Sequence, residues 1–141
     1  MKNRYITLRL LLFLVVVIPT TYVFTSCSKT IQLENSSIVP AARGKVSVKT
    51  DKNHNYNIKL VISYLAEPER LDPPKKHYVV WLSSDQNERP INIGQIVGTP
   101  KLHVKFENVS SSKPKRIFVT AEEDASTQYP GPFIILETDK F

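Results

Sequence analysis

The sequence predicts an all-β protein, in which a signal peptide and a flexible tether precede a seven-stranded antiparallel β-sandwich of the immunoglobulin-like type. Three observations predict this fold. From residue 43 onward apolar and polar residues alternate with a period of two, and no segment of this region has the apolar spacing of an amphipathic helix. Eight of the ten prolines also lie between the alternating segments, as expected for a residue without an N–H to donate to a neighbouring strand.

The predicted strands are short, and each is bounded by proline, glycine, asparagine or serine. They span residues 43–50, 56–65, 77–83, 91–97, 101–107, 115–122 and 133–138. The alternation is most regular in 101–107, whereas 133–138 is apolar on both faces, which is typical of a central strand. Trp81 lies in the third strand, and we expect its ring to fill the core between the two sheets.

Residues 1–26 have the composition of an export signal peptide. Lys2, Arg4 and Arg9 form a positively charged start, and an uninterrupted apolar run follows from residue 10 to 18. This run is shorter than the roughly 20 residues that a helix needs to cross a bilayer. The segment therefore predicts export and cleavage.

Cys27 directly follows Phe24-Thr-Ser26, and this arrangement resembles the lipobox at which a bacterial signal peptidase cleaves before an acylated cysteine. The resemblance implies lipidation of Cys27, so that the membrane is a partner through the lipid anchor. Two or more acyl chains on one residue hold a protein stably on a bilayer, whereas one chain does so only marginally. Two alternatives stay open: an uncleaved signal anchor, and secretion without acylation.

Residues 27–42 are expected to form the acylated cysteine and a flexible tether, and residues 43–141 the β-sandwich domain. The tether segment is polar and lacks a regular alternation. Ser28 in place of an aspartate after Cys27 favours sorting to the outer membrane, and the absence of an acidic cluster there favours its periplasmic face. We therefore expect a lipid-anchored protein of the bacterial cell envelope.

The charge and cysteine content exclude several kinds of site. Of 19 basic residues, Lys2, Arg4 and Arg9 belong to the signal peptide, which leaves 16 against 13 acidic residues. The remaining basic residues are scattered among apolar positions, unlike the clustered basic surface of a nucleic-acid-binding protein, so no nucleic-acid partner is expected. With one cysteine, the chain has no intramolecular disulfide and no cysteine-ligated zinc site.

No group of residues predicts catalysis, and we expect no enzyme activity, cofactor or metal. His54, His77 and His103 lack the spacing of a shared metal site. The acidic loop that begins at Glu122 lacks the pattern of a calcium-binding loop, and Ser110-Ser-Ser112 has no nucleophile motif around it.

Two loops form the candidate surface for a protein partner. Residues 66–76 contain three prolines, which stiffen the loop and lower the entropic cost of association, and residues 124–132 form the second loop. Loops at one end of a sandwich commonly bind partners. The alternative, a long connection without a binding role, stays open. The candidate contact residues are Glu67, Glu69, Arg70, Asp72, Lys75, Lys76, Glu123, Asp124, Gln128 and Tyr129.

Five segments resemble, in order, the extracytoplasmic domain of anti-sigma-K factors: residues 57–65, 78–82, 90–94, 118–122 and 129–136. They include Tyr78-Val-Val-Trp81, the strand end Thr120-Ala-Glu122 and the turn Gln128-Tyr-Pro-Gly-Pro132, and the resemblance covers about residues 46–138. It implies an immunoglobulin-like sandwich that senses or docks onto another envelope protein. Full-length anti-sigma-K factors also carry a sigma-binding domain and a membrane helix. Only a signal segment precedes the β-domain here, so the resemblance does not imply sigma-factor binding.

The leading functional hypothesis is a non-enzymatic binding module at the cell envelope that contacts another envelope protein. The alternative is a lipoprotein that binds a small ligand or carbohydrate, for which Tyr56, Tyr64, Tyr78 and Tyr129 offer aromatic surfaces. An enzyme, as a third hypothesis, requires a cluster of polar groups in a pocket that the sequence does not predict.

Overall fold

The computed structural model describes residues 28–35, 37–87, 89–97 and 103–141. The predicted signal peptide and Cys27 lie outside these residues. The described chain contains eight strands and one 3-10 turn, Pro68–Arg70. The strands are β1 (Lys29–Asn35), β2 (Arg43–Thr50), β3 (Tyr56–Ser63), β4 (His77–Ser83), β5 (Ile91–Ile96), β6 (His103–Ser110), β7 (Arg116–Glu122) and β8 (Ile134–Glu137).

The strands form one antiparallel sheet in the order β5-β4-β7-β8-β1-β2-β3-β6. Strand β1 joins the half formed by β5, β4, β7 and β8 to the half formed by β2, β3 and β6. Its residues 29–33 pair with β2, and its last two residues pair with β8. The sheet curls until its edge strands meet, where the side chain of Asn108 donates to the carbonyl of Ile93 at 2.5 Å. The result is a nearly closed, barrel-like sheet, and closure covers strand edges that would otherwise be unpaired.

The large apolar core lies inside this curled sheet. Alternate residues of most strands point into it, as the two-residue period requires, whereas β8, where its pairing with β7 is irregular, contributes the consecutive residues Ile135 and Leu136. Its fully buried members include Val46, Ile58, Leu60, Ile62, Val80, Leu82, Ile117, Val119, Ile135 and Leu136.

The all-β prediction is confirmed, but the predicted seven strands are eight and form a barrel-like sheet. The additional strand, β1, lies in the segment that the sequence analysis assigned to the flexible tether. Its alternation is weak, since only Leu33 is buried in it. Pairing with both β2 and β8 orders this segment, and those partners are distant in sequence.

The predicted bounds of β2 and β4 agree with the structure. Strand β3 ends at Ser63, two residues earlier than predicted, because Tyr64 has a left-handed backbone with φ of 56°. Strand β6 continues to Ser110, beyond the predicted end at 107, because it pairs with the whole length of β3.

The barrel has two ends. The near end is where β1 begins, and it contains the turn 51–55, the turn 111–115 and the C-terminal residues 138–141. The loop end is opposite. It contains the β3–β4 loop, residues 64–76, and the first residues of the β7–β8 loop, which as a whole spans residues 123–133.

Candidate functional site

The β3–β4 loop is held by its own buried side chains. Leu65, Pro68 and Leu71 are buried, and the amide of Lys75 donates to the carbonyl of Pro68 at 2.9 Å. The hydroxyl of Tyr78 donates to the carbonyl of Ala66 at 3.0 Å. Burial raises the pKa of this hydroxyl above its ordinary value, and the nearby carboxylate of Glu69 raises it further. The loop is therefore preorganised.

The β7–β8 loop begins beside it. The amide of Lys76 donates to the carbonyl of Glu122 at 3.0 Å, and the ammonium groups of Lys75 and Lys76 lie 3.3 and 3.7 Å from the carboxylate of Glu123. The Lys75 ammonium also lies 4.9 Å from the ring centre of Phe133. Three of the predicted contact residues, Lys75, Lys76 and Glu123, are thus in mutual contact at the loop end.

The other charged candidates surround these three. Glu67 pairs with Arg70, with 2.8 Å between Oε2 and Nε. Glu69 and Asp72 are exposed, and neither forms an ion pair or hydrogen bond with another residue that the structure describes. The amide and hydroxyl of Ser126 donate to Asp124 and hold the pKa of its carboxyl below the usual value. Glu69 and Asp72 therefore lack a cationic partner among the residues that the structure describes.

Gln128 and Tyr129 lie elsewhere, because the β7–β8 loop folds back along the outside of β5. The side-chain amide of Asn92 donates to the carbonyls of Ala125 and Thr127 at 2.9 and 3.0 Å. The Arg89 guanidinium donates to the Tyr129 hydroxyl at 2.8 Å and lies 5.3 Å from its ring centre. Sequence proximity to Glu123 was thus a poor guide to the position of these two residues.

Trp81 is fully buried, but it does not belong to the large core. Its side chain lies on the outer face of the sheet, in a second cluster with Val79 and Phe118, because Val80 and Leu82 occupy the inward positions of β4. The Trp81 and Phe118 rings are stacked with centres 6.3 Å apart. Trp81 is therefore buried as predicted, but in this outer cluster rather than in the large core.

A chain of buried hydrogen bonds connects Trp81 to the β7–β8 loop. The indole Nε1 donates to the Thr120 hydroxyl at 2.7 Å, which donates to Glu122 Oε1 at 2.5 Å. The same Oε1 accepts from the amide of Gly131 at 2.7 Å. Sequence reasoning missed Thr120 and Glu122 as fixing points. Their signal was that they are polar residues at the outward positions of an otherwise apolar strand.

An open groove of about 1040 Å³ runs between the start of β5 and the folded-back loop. Arg89 and the segment 90–94 line one side, and Ala125, Ser126 and Gln128 line the other. The amide side chains of Gln86 and Asn87 extend it towards the near end. The lining combines four amide side chains and the Ser126 hydroxyl, which can hydrogen-bond a polar ligand, with apolar residues such as Ile91 and Ile93.

The three histidines lie on different elements, with His77 at the start of β4. Ser63 Oγ and His103 Nδ1 lie 2.8 Å apart across β3 and β6, while His54 occupies the turn 51–55. Among the residues described, no three histidine, cysteine, aspartate or glutamate side chains are grouped as a metal site requires. The described part of the chain also has no helix with the length and apolar character needed to span a membrane.

No protein-family model, curated protein or solved structure matches this chain.

Proposed function

We propose that the protein is a lipid-anchored component of the bacterial cell envelope and that its β-domain is a non-enzymatic binding module for another envelope protein. The observation that carries the proposal is that the predicted anchor and the candidate contact loops lie at opposite ends of the barrel. Strand β1 begins at Lys29, two positions after Cys27, at the near end. The two candidate contact loops lie at the opposite end.

An acyl anchor on Cys27 directs the loop end away from the membrane. The eight residues of β2 span the barrel, and at roughly 3.3 Å per residue they place the loops at most about 26 Å above the near end. With β1 paired from Lys29, little free chain remains between anchor and domain. The module is thereby held at a defined height, on the periplasmic face of the outer membrane that the Ser28 position favours.

The charges of the loop end favour a partner with a basic surface. Glu69, Asp72 and Asp124 are exposed, while the cations Lys75 and Lys76 are occupied by Glu123. Complementary charge accelerates encounter and selects among partners. Because buried residues already fix the β3–β4 loop, binding orders few additional groups.

The immunoglobulin-like assignment and the relationship to anti-sigma-K factors belong to the same proposal. Without β1, the seven remaining strands divide into β2, β3 and β6 on one side and β4, β5, β7 and β8 on the other. This division supports a Greek-key sandwich to which β1 has been added. The proposed role in anti-sigma-type envelope signalling rests on the sequence resemblance to these factors.

Site-specific photo-crosslinking tests the proposal. A photoreactive residue at Glu69 of the full chain, expressed in a bacterial host that retains its envelope partners, is expected to form one adduct with an envelope protein. The same residue at Lys45, which is exposed on the wall of the barrel, is the matched control. Equal adducts from both positions, or none from Glu69, would contradict a partner site at the loop end. Mass spectrometry of the membrane fraction checks acylation of Cys27, and Cys27→Ser is expected to release the protein.

The groove supports a second candidate function, binding of a carbohydrate. Tyr129 is 58% exposed, beside Arg89 and the amides of the groove, and exposed aromatic rings with neighbouring amides suit sugar rings. Tyr129→Ala is expected to abolish oligosaccharide binding measured by calorimetry. Tyr64→Ala is the control, since Tyr64 is 57% exposed but lies in the β3–β4 loop. Binding that survives Tyr129→Ala would remove this candidate.

A further inference from the structure

Five lysines at the near end of the barrel lack an acidic partner among the residues that the structure describes. All five are exposed, and none forms a salt bridge with another residue in the described ranges. At the loop end, by contrast, Arg70, Lys75 and Lys76 are paired with glutamates. The Arg43 guanidinium, also at that end, donates to the carbonyls of Pro40 and Ala42. The unpaired lysines of the near end are Lys29, Lys49, Lys52, Lys113 and Lys140.

Strand register places these lysines at one end. Lys29 pairs with Val48, next to Lys49, and the adjacent β2–β3 turn contains Lys52. Strand β6 ends at the same level, because Ser110 pairs with Tyr56, and Lys113 follows in the next turn.

The C-terminus reaches the same end. The Lys29 ammonium lies 5.1 Å from the ring centre of Phe141, which follows Lys140, and the Phe141 amide donates to the carbonyl of Lys115 at 2.9 Å. The five ammonium groups thus share one end, although their parent segments are distant in sequence.

The acidic groups at this end are fewer, and two of them are engaged. Asp51 accepts from the amides of Asn53 and Asn55 at 2.8 and 2.9 Å, and Asp85 pairs with Lys115. Among the described residues, Asp139 and the terminal carboxylate of Phe141 are further negative groups at this end, and Glu34 and Glu137 line a pocket together with Lys140. The near end is therefore positive, in contrast to the carboxylates of the loop end.

We infer that the near end is a second membrane contact, in which its lysines bind the anionic phospholipid headgroups of the leaflet that holds the acyl anchor. The inference rests on the proposed function, because acylation of Cys27 puts this end at the bilayer. Two residues of extended chain span at most about 7 Å. That distance is within the Debye length of roughly 8 Å at physiological salt, so salt screens the attraction between the lysines and the headgroup phosphates only in part.

The contact sets the orientation of the domain. Acyl chains alone allow the barrel to tilt, whereas several lysines on its base favour the upright arrangement with the loop end outward. Each lysine near an anionic surface is worth about a fivefold factor in binding, and three together about a hundredfold factor.

Amine footprinting of the acylated, mature protein tests the inference. The protein is reconstituted in vesicles of phosphatidylcholine alone or vesicles rich in phosphatidylglycerol, and labelling of each lysine is followed by mass spectrometry. In anionic vesicles, labelling of Lys49, Lys52 and Lys113 is expected to fall several-fold and to recover at about 1 M salt. Lys45 and Lys105, on the barrel wall, are expected to label equally in both vesicles. Equal labelling of the near-end lysines in both vesicles would overturn the inference while leaving the acyl anchor intact.

A charge-matched pair of variants separates location from net charge. The near-end variant carries Lys49→Gln, Lys52→Gln and Lys113→Gln, and the wall variant carries Lys45→Gln, Lys59→Gln and Lys105→Gln. Protection of Lys140 in anionic vesicles is expected to disappear in the near-end variant and to persist in the wall variant; equal loss in both would overturn the inference.

Two further outcomes are distinguishable. Protection in neutral vesicles by added heparin, without protection in anionic vesicles, would assign this end to an anionic polysaccharide and overturn the inference. An unmodified Cys27 in the mass spectrum would remove the premise and the proposed function together.

Discussion

Trp81 donates its indole N–H to the hydroxyl of Thr120 at 2.7 Å, and both residues are fully buried on the outer face of the sheet. An outer face is normally in contact with water. Here the β7–β8 loop lies over it, pinned by Asn92 on one strand and by Glu122 on another. The bond between Trp81 and Thr120 is thus part of the attachment of a loop that carries candidate binding residues.

Thr120→Val is expected to destabilise the protein by about 1–3 kcal/mol, because it leaves the indole N–H without an acceptor in a dry site. Thr30→Val is the control, since the Thr30 hydroxyl bonds Ser47 at 3.1 Å on the exposed surface, and its effect is expected within about 0.5 kcal/mol. Urea denaturation followed by the fluorescence of Trp81, the single tryptophan, measures both. Equal losses would show that the buried bond contributes nothing specific.

Glu122→Ala is expected to cost about 2–4 kcal/mol and to loosen the β7–β8 loop, because the Gly131 amide and the Thr120 hydroxyl both lose their acceptor. Glu122→Gln retains an oxygen at the same place and is expected to cost less than about 1.5 kcal/mol. Hydrogen exchange at the Gly131 amide reports on the loop. Fast exchange in both variants would mean that the charge, rather than the oxygen, holds it.

Asn108→Ala opens the seam between β5 and β6, because its side chain donates to the carbonyl of Ile93. A loss of about 1 kcal/mol is expected, together with faster hydrogen exchange in β5. Asn57→Ala provides the comparison, since Asn57 is exposed on β3 and its side chain bonds no residue in the described ranges. Unchanged exchange in β5 after Asn108→Ala would contradict the role of this bond in closing the barrel.

Acid is expected to weaken the β2–β3 turn through Asp51. Amide hydrogen bonds from Asn55 and Asn53 hold the pKa of its carboxyl below the ordinary 3.8. A carboxyl with a lowered folded-state pKa contributes fully above about pH 5, and its contribution is lost as the pH falls through that lowered value.

The pH dependence of stability in Asp51→Asn tests this assignment. The asparagine side chain keeps a hydrogen-bond acceptor but has no carboxyl group that titrates. The stability of the variant is therefore expected to fall less between about pH 5 and pH 2 than that of the parent protein. Asp139→Asn is the control, because Asp139 is exposed and bonds no residue in the described part of the chain. The assignment fails if Asp139→Asn flattens the pH profile as much as Asp51→Asn does.

The local alternation of apolar and polar residues was sufficient to predict most of the strands. The bounds of β2 and β4 follow from alternation and from flanking turn residues, which act over a few residues of chain. The same reasoning failed for β1, because its edges are satisfied by β2 on one side and β8 on the other, and neither is visible in the segment itself.

The candidate site, like the strands, was predicted from the sequence only in part. Proline content identified the β3–β4 loop, and the structure brings its Lys75 and Lys76 to Glu123. Gln128 and Tyr129 were grouped with Glu123 by sequence proximity, but Asn92 and Arg89 draw that part of the loop along the barrel. Thr120 and Glu122 were missed because their role requires Trp81 on the next strand.

The sequence by itself determined the all-β class, the position of most strands and the charge and stiffness of the loops, since each depends on residues that are neighbours in the chain. Only the tertiary structure decided the closure of the sheet, the recruitment of β1, the side of the sheet on which Trp81 is buried and the separation of charge between the two ends. Those features depend on hydrogen bonds and register between strands far apart in sequence. A two-residue alternation specifies which side chains share a face, but not which strand or loop will cover that face.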